Sequence, residues 1–239
     1  MNSFIEKFDE VSFSAWKDLF INTGQTILLS ASILLLTAWL MHKKNYLLKT
    51  GLALLFLFVC IRTRSFVQAG EQERIIVYNI PRNTAIDLIK GHAGNFIGDS
   101  LLFSDDALNS FHLQPSRVMH RVKNISQVPF QNKAFNFGKK RILVLDSTIF
   151  NHSTTFNHST TFNHVQPHST KTTPPIDLLI LSKNPKLYIA DLARVFNIRQ
   201  IVIDGSVPAW KSRLWKKDCD SLRINCFDVK ENGAFVMNL

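Results

Sequence analysis

The sequence predicts an α/β domain carried behind a helical hairpin that lies in a membrane. Three observations lead there. The first 64 residues hold two long apolar runs joined by a short basic link. The rest of the chain breaks into short apolar stretches bounded by Pro, Gly, Asp and Asn. These stretches come first as hairpins and later in alternation with helical patterns, which favours an α/β sandwich over an all-β barrel.

Composition narrows the class. Of 239 residues, 46% are hydrophobic and 19% charged, and 19 are Phe. Such a chain can fill a core and is not wholly disordered. Three Cys exclude a small scaffold held by many disulfides. With 28 Lys+Arg against 18 Asp+Glu the formal charge is +10. That balance suits an anionic partner, nucleic acid or lipid headgroups, and says nothing of the fold.

Residues 1–18 place Phe4, Phe8 and Val11 at helical spacing among acids and lysines, with Trp16 suited to the headgroup level. They predict an interfacial amphipathic segment. Residues 19–64 form the predicted hairpin. Leu19 to Met41 is a run of 23 uncharged residues. As a helix it reaches roughly 34 Å, against a hydrocarbon core of about 30 Å. Ser30, Ala31 and Ser32 would let a second helix approach closely. A signal peptide fits poorly, because Glu6, Asp9, Glu10 and Asp18 precede the run and no small-residue cleavage site follows. The second run, Tyr46 to Ile61, has 16 residues and is short for a span. Lys49 could snorkel at one end and Arg62 and Arg64 at the other. Lys43, Lys44 and Lys49 against Lys17, Arg62 and Arg64 nearly balance the positive-inside rule. The reading taken is a cytoplasmic hairpin tip with the C-terminal domain outside the cytoplasm.

Residues 65–239 are the predicted soluble domain, with 21 Lys+Arg and 14 Asp+Glu. Ile75–Ile80, Thr84–Ile89 and Asn95–Ile97 read as strands, and Asp105–Phe111 as a helical turn or two. Arg141–Leu145, Asp177–Leu181 and Ile201–Ile203 read as further strands, the latter two followed by helices Ile189–Phe196 and Ala209–Leu222. Cys226–Val229 and Ala234–Met237 close the chain. Residues 150–175 hold a Phe-Asn-His-Ser-Thr-Thr repeat ending in Pro174-Pro175 and read as a loop. Its His152, His158, His164 and His168 could bind a soft divalent metal, although a slipped duplication in an exposed loop explains them more simply.

The order IIVYNIPRNTAIDLIKG, NFIGDS, RILVLDST, DLLILSKNP and IVIDGSVPAWKSRLWKKDCDSLRINCFDVKENGAFVMN resembles the C-terminal domain of the ComEC competence-protein family. The front resembles the last membrane helices of that DNA-uptake channel. The resemblance implies a metallo-β-lactamase-like αββα sandwich, here degenerate. Such a site needs His-x-His-x-Asp-His to gather zinc and activate water, and no His-x-His occurs in this chain. Where the second ligand turn belongs stands Ser182-Lys183-Asn184-Pro185, and a lysine there would repel a dication. After Asp204-Gly205-Ser206, in place of the last ligand histidine, come Pro208 and Trp210. The hydrolytic centre therefore reads as lost, with no cofactor expected and no catalytic residue assigned. Asp99 and Asp146 remain as weak metal candidates. The chain would be the rear part of such a channel, either a split subunit or a truncated reading frame.

Other constellations remain. Ala107 to Leu145 has no acid but seven bases: Arg117, Arg121, Lys123, Lys133, Lys139, Lys140 and Arg141. Phe111, Phe130, Phe135 and Phe137 lie among them, as a single-strand groove would need. A solvated basic face with Phe in the core is the plainer alternative. In Trp210–Lys217, Trp210 and Leu214 would share a helix face, leaving Lys211, Lys216 and Lys217 more exposed. With Arg213 these could meet phosphate or a membrane surface, or Trp210 and Leu214 could pin the helix to the sheet. Asp99, Asp146, Asp177 and Asp204 sit at strand ends and could hold Mg²⁺, although such residues more often cap turns. Cys219 and Cys226 could pair if the domain is outside the cytoplasm, and Cys60 has no evident partner.

The expectation is a membrane-anchored, non-catalytic rear part of a DNA-uptake channel. Its partners would be the membrane, single-stranded DNA and the remaining membrane part of the channel. The alternatives are a Mg²⁺-dependent nuclease using the strand-end aspartates, or a membrane structural protein with no nucleic-acid role.

Overall fold

A computed structural model describes residues 21–128, 134–147 and 175–239. The amphipathic segment expected over residues 1–18, Lys133 and residues 150–174 of the repeat loop lie outside them. The chain divides into two units. One holds the residues up to Glu71 together with Ser116–Lys123, and the other holds Gln72–Pro115 with Asn124–Leu239.

In the first unit, α1 spans Thr23–His42 and α2 spans Asn45–Gly70. Both are long and apolar enough to cross a membrane. Lys43 turns the chain between them in the left-handed region, with φ 53°, and its N–H donates to Trp39 O at 2.7 Å. Ser32 Oγ donates to Gly51 O at 3.0 Å. A Cβ at Gly51 would come within 3.1 Å of Leu36. A small residue on each helix thus permits close packing, and the buried Ser32 hydroxyl finds an acceptor. Leu34 and Phe56 point outward, 69% and 71% exposed, a surface suited to lipid rather than water. The second helix has 26 residues, not the 16 of the apolar run. Nothing between Arg62 and Ala69 breaks a helix, so it continues until Gly70.

The second unit is built on two five-stranded sheets. In the first, β1 (Glu73–Val77), β2 (Ala85–Lys90) and β3 (Ala93–Gly98) form an antiparallel meander. The short helices α3 (Ser100–Ser104) and α4 (Asp106–Leu108), a π turn at Asn109–Leu113 and α5 (Gln114–Met119) follow. Strand β4 (Asn124–Gln127) then pairs parallel to β3. The second sheet has β5 (Ala134–Phe137) antiparallel to β6 (Lys140–Leu145) at one edge. A minor pair is made by β7 (Pro175–Ile176) and β9 (Asn197–Ile198). The parallel ladder continues through β8 (Leu178–Leu181) and β10 (Gln200–Ile203), separated by α6 (Ile189–Val195). Helix α7 (Ala209–Leu222) leads to edge strand β11 (Asn225–Asp228). One turn, α8 (Val229–Asn232), precedes β12 (Phe235–Asn238), which pairs with β1.

Strand periodicity explains the layers. In β6, β8 and β10, Ile142, Val144, Leu178, Ile180 and Val202 share a buried cluster with Ile75, Val77, Ile86, Leu88 and Ile97 of the first sheet. The two sheets therefore pack face to face. The alternate residues Leu143, Leu145, Leu179, Leu181, Ile201 and Ile203 meet Ile189, Leu192, Trp215 and Cys219 of α6 and α7. Burial on both faces is why these strands read as unbroken apolar runs. Strands β4 and β5 were not foreseen, since Asn124–Gln127 is polar and largely exposed and Ala134–Phe137 only half-buried.

Helix α7 is rotated relative to the expected face. Its buried residues are Lys211, Ser212, Trp215 and Cys219, whereas Trp210 and Leu214 are exposed. Both sets are spaced for a helix face, and Trp215 with Cys219 takes the inner one. Neither the expected exposure of Lys211 nor the pinning of the helix by Trp210 and Leu214 holds.

Candidate functional site at the carboxyl ends of the second sheet

The parallel ladder sets Leu145 opposite Leu181 and Leu181 opposite Ile203. The next residue on each strand, Asp146, Ser182 and Asp204, therefore stands side by side at the carboxyl edge, where ligands commonly bind in parallel sheets. All three are buried. One glycine closes the β2–β3 end within the first sheet, and another lets that sheet's β1–β2 loop approach this edge. A Cβ at Gly98 would lie 2.2 Å from Thr84 O, and one at Gly205 would lie 2.7 Å from Ile80 N and O.

Asp99 follows Gly98 directly. Its Oδ2 accepts from Thr84 N at 2.9 Å, and its Oδ1 accepts from Lys183 Nζ at 2.9 Å. The side chains of Lys183 and Asp99 are 38% and 24% exposed. Lys183 adopts the left-handed region with φ 61°, a conformation that costs a side-chain-bearing residue about 1–2 kcal/mol. The Asp99 hydrogen bond raises the Lys183 pKa, burial opposes it, and the charges of Asp99, Asp146 and Asp204 add to the rise. The position at which a lysine was expected to repel a dication thus holds a cation of its own.

Ser206 joins the loops. Its Oγ donates to Asp204 Oδ1 and accepts from Lys183 N, with Thr84 Oγ1 at 3.5 Å. Ser206 N also donates to Asp204 Oδ1, at 2.9 Å. Burial pushes the Asp204 carboxyl above its usual range, although the hydroxyls of Ser206, Ser182 and Thr84 favour its charged form. Ser182 Oγ and Asp204 Oδ2 are buried with no partner in good hydrogen-bond geometry among the described residues. An acid whose folded pKa is raised is stabilising below its unfolded pKa. That stability falls as pH rises from about 4 through the folded value. Asp204→Asn keeps an acceptor for Ser206 and should flatten this part of the stability–pH curve, measured by denaturant titration between pH 4 and 8.

Asp177 does not belong to this edge. It precedes β8 and lies at the opposite, amino end of the strand. There Oδ1 pairs with Lys140 Nζ and Arg199 Nη1, each at 3.2 Å, and Oδ2 accepts from Arg141 N at 3.1 Å. Burial works against its charge, but these donors hold its pKa below the usual value. The idea of four clustered aspartates is corrected accordingly, because the direction of parallel strands separates Asp177 from the others. Among the described residues, no three His, Cys, Asp or Glu lie close enough to hold a metal ion.

The expected cations fall in both units and differ in exposure. Arg117, Arg121 and Lys123 belong to the first unit and Lys139, Lys140 and Arg141 to the second. Arg117 is 4% exposed and is not without a partner. Arg121 is half-buried, and Lys123 and Lys139 are exposed. Lys140 is tied to Asp177 and Arg141 is half-buried beside it. Lys211 is buried, with Nζ donating to Asn184 Oδ1 at 2.7 Å and to Pro185 O, and lying 5.0 Å from the Trp215 ring centroid. Burial, and then Lys186, lower its pKa. Lys211 thus clamps the loop that carries Lys183 instead of facing solvent. Lys216 is paired with Glu231. Arg213 and Lys217 remain exposed on α7, beside Trp210. Thr84 and Ser206 were not foreseen as parts of the site. Asp204-Gly205-Ser206 at a strand end was the only signal for the latter.

Fold and site together define a two-sheet α/β domain with a polar network at the carboxyl edge of a parallel ladder. The family model for the ComEC C-terminal domain matches residues 75–239, and the chain belongs to that family. Membership associates it with DNA uptake in competence and with membranes. Comparison with curated proteins and with solved structures returned no match.

Proposed function

We propose that this chain is the membrane-anchored rear portion of a competence-type DNA-uptake channel. Its soluble domain is a metallo-β-lactamase-like sandwich that has lost hydrolysis and contacts single-stranded DNA. The observation that carries this reading is the Lys183 ammonium held on Asp99 at 2.9 Å, because the cation of the site is then supplied by the chain itself. Helices α1 and α2 are the anchor in the cell's inner membrane, and the domain lies outside the cytoplasm. The exposed cations Lys123, Lys139, Arg213 and Lys217 are available for phosphate, and exposed Trp210 for a base.

The nuclease alternative needs several free carboxylates on one Mg²⁺. It is weakened because Asp177 lies at the far end of its strand and Asp99 is engaged by Lys183. The test uses the full chain in detergent. It should carry no stoichiometric zinc, leave a labelled single-stranded oligonucleotide intact, and bind it with salt-dependent affinity. With Arg213 and Lys217 of one helix as the two phosphate contacts, the log–log slope is about −1.4, so a fourfold rise in salt should weaken binding about sevenfold. Arg213→Ala should lower the slope to about −0.7. Cleavage lost in Asp99→Asn would support the nuclease, and absence of binding at low salt would leave the structural role.

A further inference from the structure

Two of the three cysteines pack on the same apolar cluster. Cys219 lies one turn before the end of α7, and Cys226 lies in β11. The chain reverses between them through Arg223 in the left-handed region, φ 56°, with Ile224 N donating to Cys219 O at 2.9 Å. This αL stop turns the strand back along the helix that precedes it. Alternation in β11 then decides the facing. Phe227 packs into the cluster between the sheets. Cys226 packs against the cluster on the helix side, of which Cys219 is a buried member. Both are thiols in the structure. Cys60, the third, is exposed on α2.

We propose that Cys219 and Cys226 are a redox site, forming a reversible disulfide that staples the last turn of α7 to edge strand β11. The chemistry of the pair supports this. The mutual interaction of the two thiols raises the Cys219 pKa and lowers that of Cys226. Burial also raises the Cys219 pKa and opposes the lowering at Cys226, where Lys216 favours the thiolate and Asp228 and Asp220 disfavour it. Cys226 is the half-buried member and Cys219 the buried one, so an external oxidant meets Cys226 first.

The oxidant is a small disulfide. The Cys226 thiolate attacks one of its sulfurs, forms a mixed disulfide and expels one thiolate. Cys219 then gives up its proton and attacks the Cys226 sulfur, expelling the second thiolate. Two protein thiols are oxidised, one external disulfide is reduced to two thiols, and the protons pass to the leaving thiolates or solvent. The product removes freedom from the short loop between 219 and 226 in the unfolded chain, and it fastens a sheet edge whose outer side has no strand partner among the described residues.

The experiment treats the full chain in detergent with glutathione disulfide, blocks remaining thiols, and maps peptides by mass spectrometry. The expected result is a Cys219–Cys226 link that dithiothreitol reverses, with no lasting glutathione on either residue. Oxidation should raise the Tm of the sheet unit by about 5 °C. Cys219→Ser should trap glutathione on Cys226. Cys226→Ser should leave Cys219 reduced until the protein is denatured. A stable glutathione adduct on Cys226 in the unmodified chain would overturn the proposal. So would recovery of both residues as free thiols after oxidation.

Discussion

Replacing Lys183 by methionine is expected to destabilise the sheet unit by about 2 kcal/mol. The ion pair to Asp99 is neither fully buried nor on the open surface, with side chains 38% and 24% exposed. Breaking a buried pair costs about 3–5 kcal/mol, and an exposed one contributes at most about 1. The estimate falls between them after discounting for solvent screening. The loss arises because the Asp99 carboxylate, anchored by Thr84 N, loses its ion-pair partner. Lys183→Met/Asp99→Asn should therefore recover part of the stability. Lys183→Gly should lose only about 1 kcal/mol, because glycine also releases the left-handed strain.

The pH dependence follows from the same pair. The Lys183 pKa is raised in the fold, so its contribution is complete at neutral pH. It declines as pH climbs above about 10.4 and through the folded value. The gap between the native chain and Lys183→Met should narrow in that range, as read from denaturant midpoints. Equal stability of the two proteins at pH 7 would show that the ammonium does not compensate the site. It would also remove the main support for a self-supplied cation.

How much of this was legible depends on the burial of each element. Runs such as Ile142–Leu145 and Leu178–Leu181 are covered on both faces, so their strand character survives in the sequence. Strand β4 carries mostly exposed polar residues and left no apolar signal. The absence of ligand histidines was readable, and so was the oddity of Lys183. Its partner was not, because Asp99 is 84 residues away and the contact follows from the stacking of two sheets. Asp177 and Asp146 differ in a way the sequence does contain. One precedes its apolar run and the other follows it, so a parallel ladder sends them to opposite ends. Helix α7 was ambiguous for a different reason. Trp210 with Leu214 and Trp215 with Cys219 both define faces, and only packing on β10 and β11 chooses between them.

Gly98→Ala should produce the largest loss of stability, about 3 kcal/mol, through overpacking. The new Cβ would sit 2.2 Å from Thr84 O, 2.9 Å from Phe96 Cζ and 3.1 Å from Ala85 Cα. Two of these atoms are backbone of the neighbouring strand and its entry loop, which cannot swing aside as a flexible side chain would. Thr84 O also accepts from Asp99 N at 3.0 Å, and Thr84 N donates to the Asp99 carboxylate. Moving Thr84 away from the methyl group therefore releases Asp99 from both anchors and takes the carboxylate away from Lys183. Gly98→Ala and Lys183→Met consequently act on one network, and their combined loss should be smaller than the sum of the two. Gly24→Ala is the control. Nothing lies within 4 Å of a Cβ there, and the position is helical, so this substitution should leave the sheet unit unchanged. Additive losses for Gly98→Ala and Lys183→Met would mean that the close approach at Gly98 and the ion pair are independent, and that the glycine does not position the site.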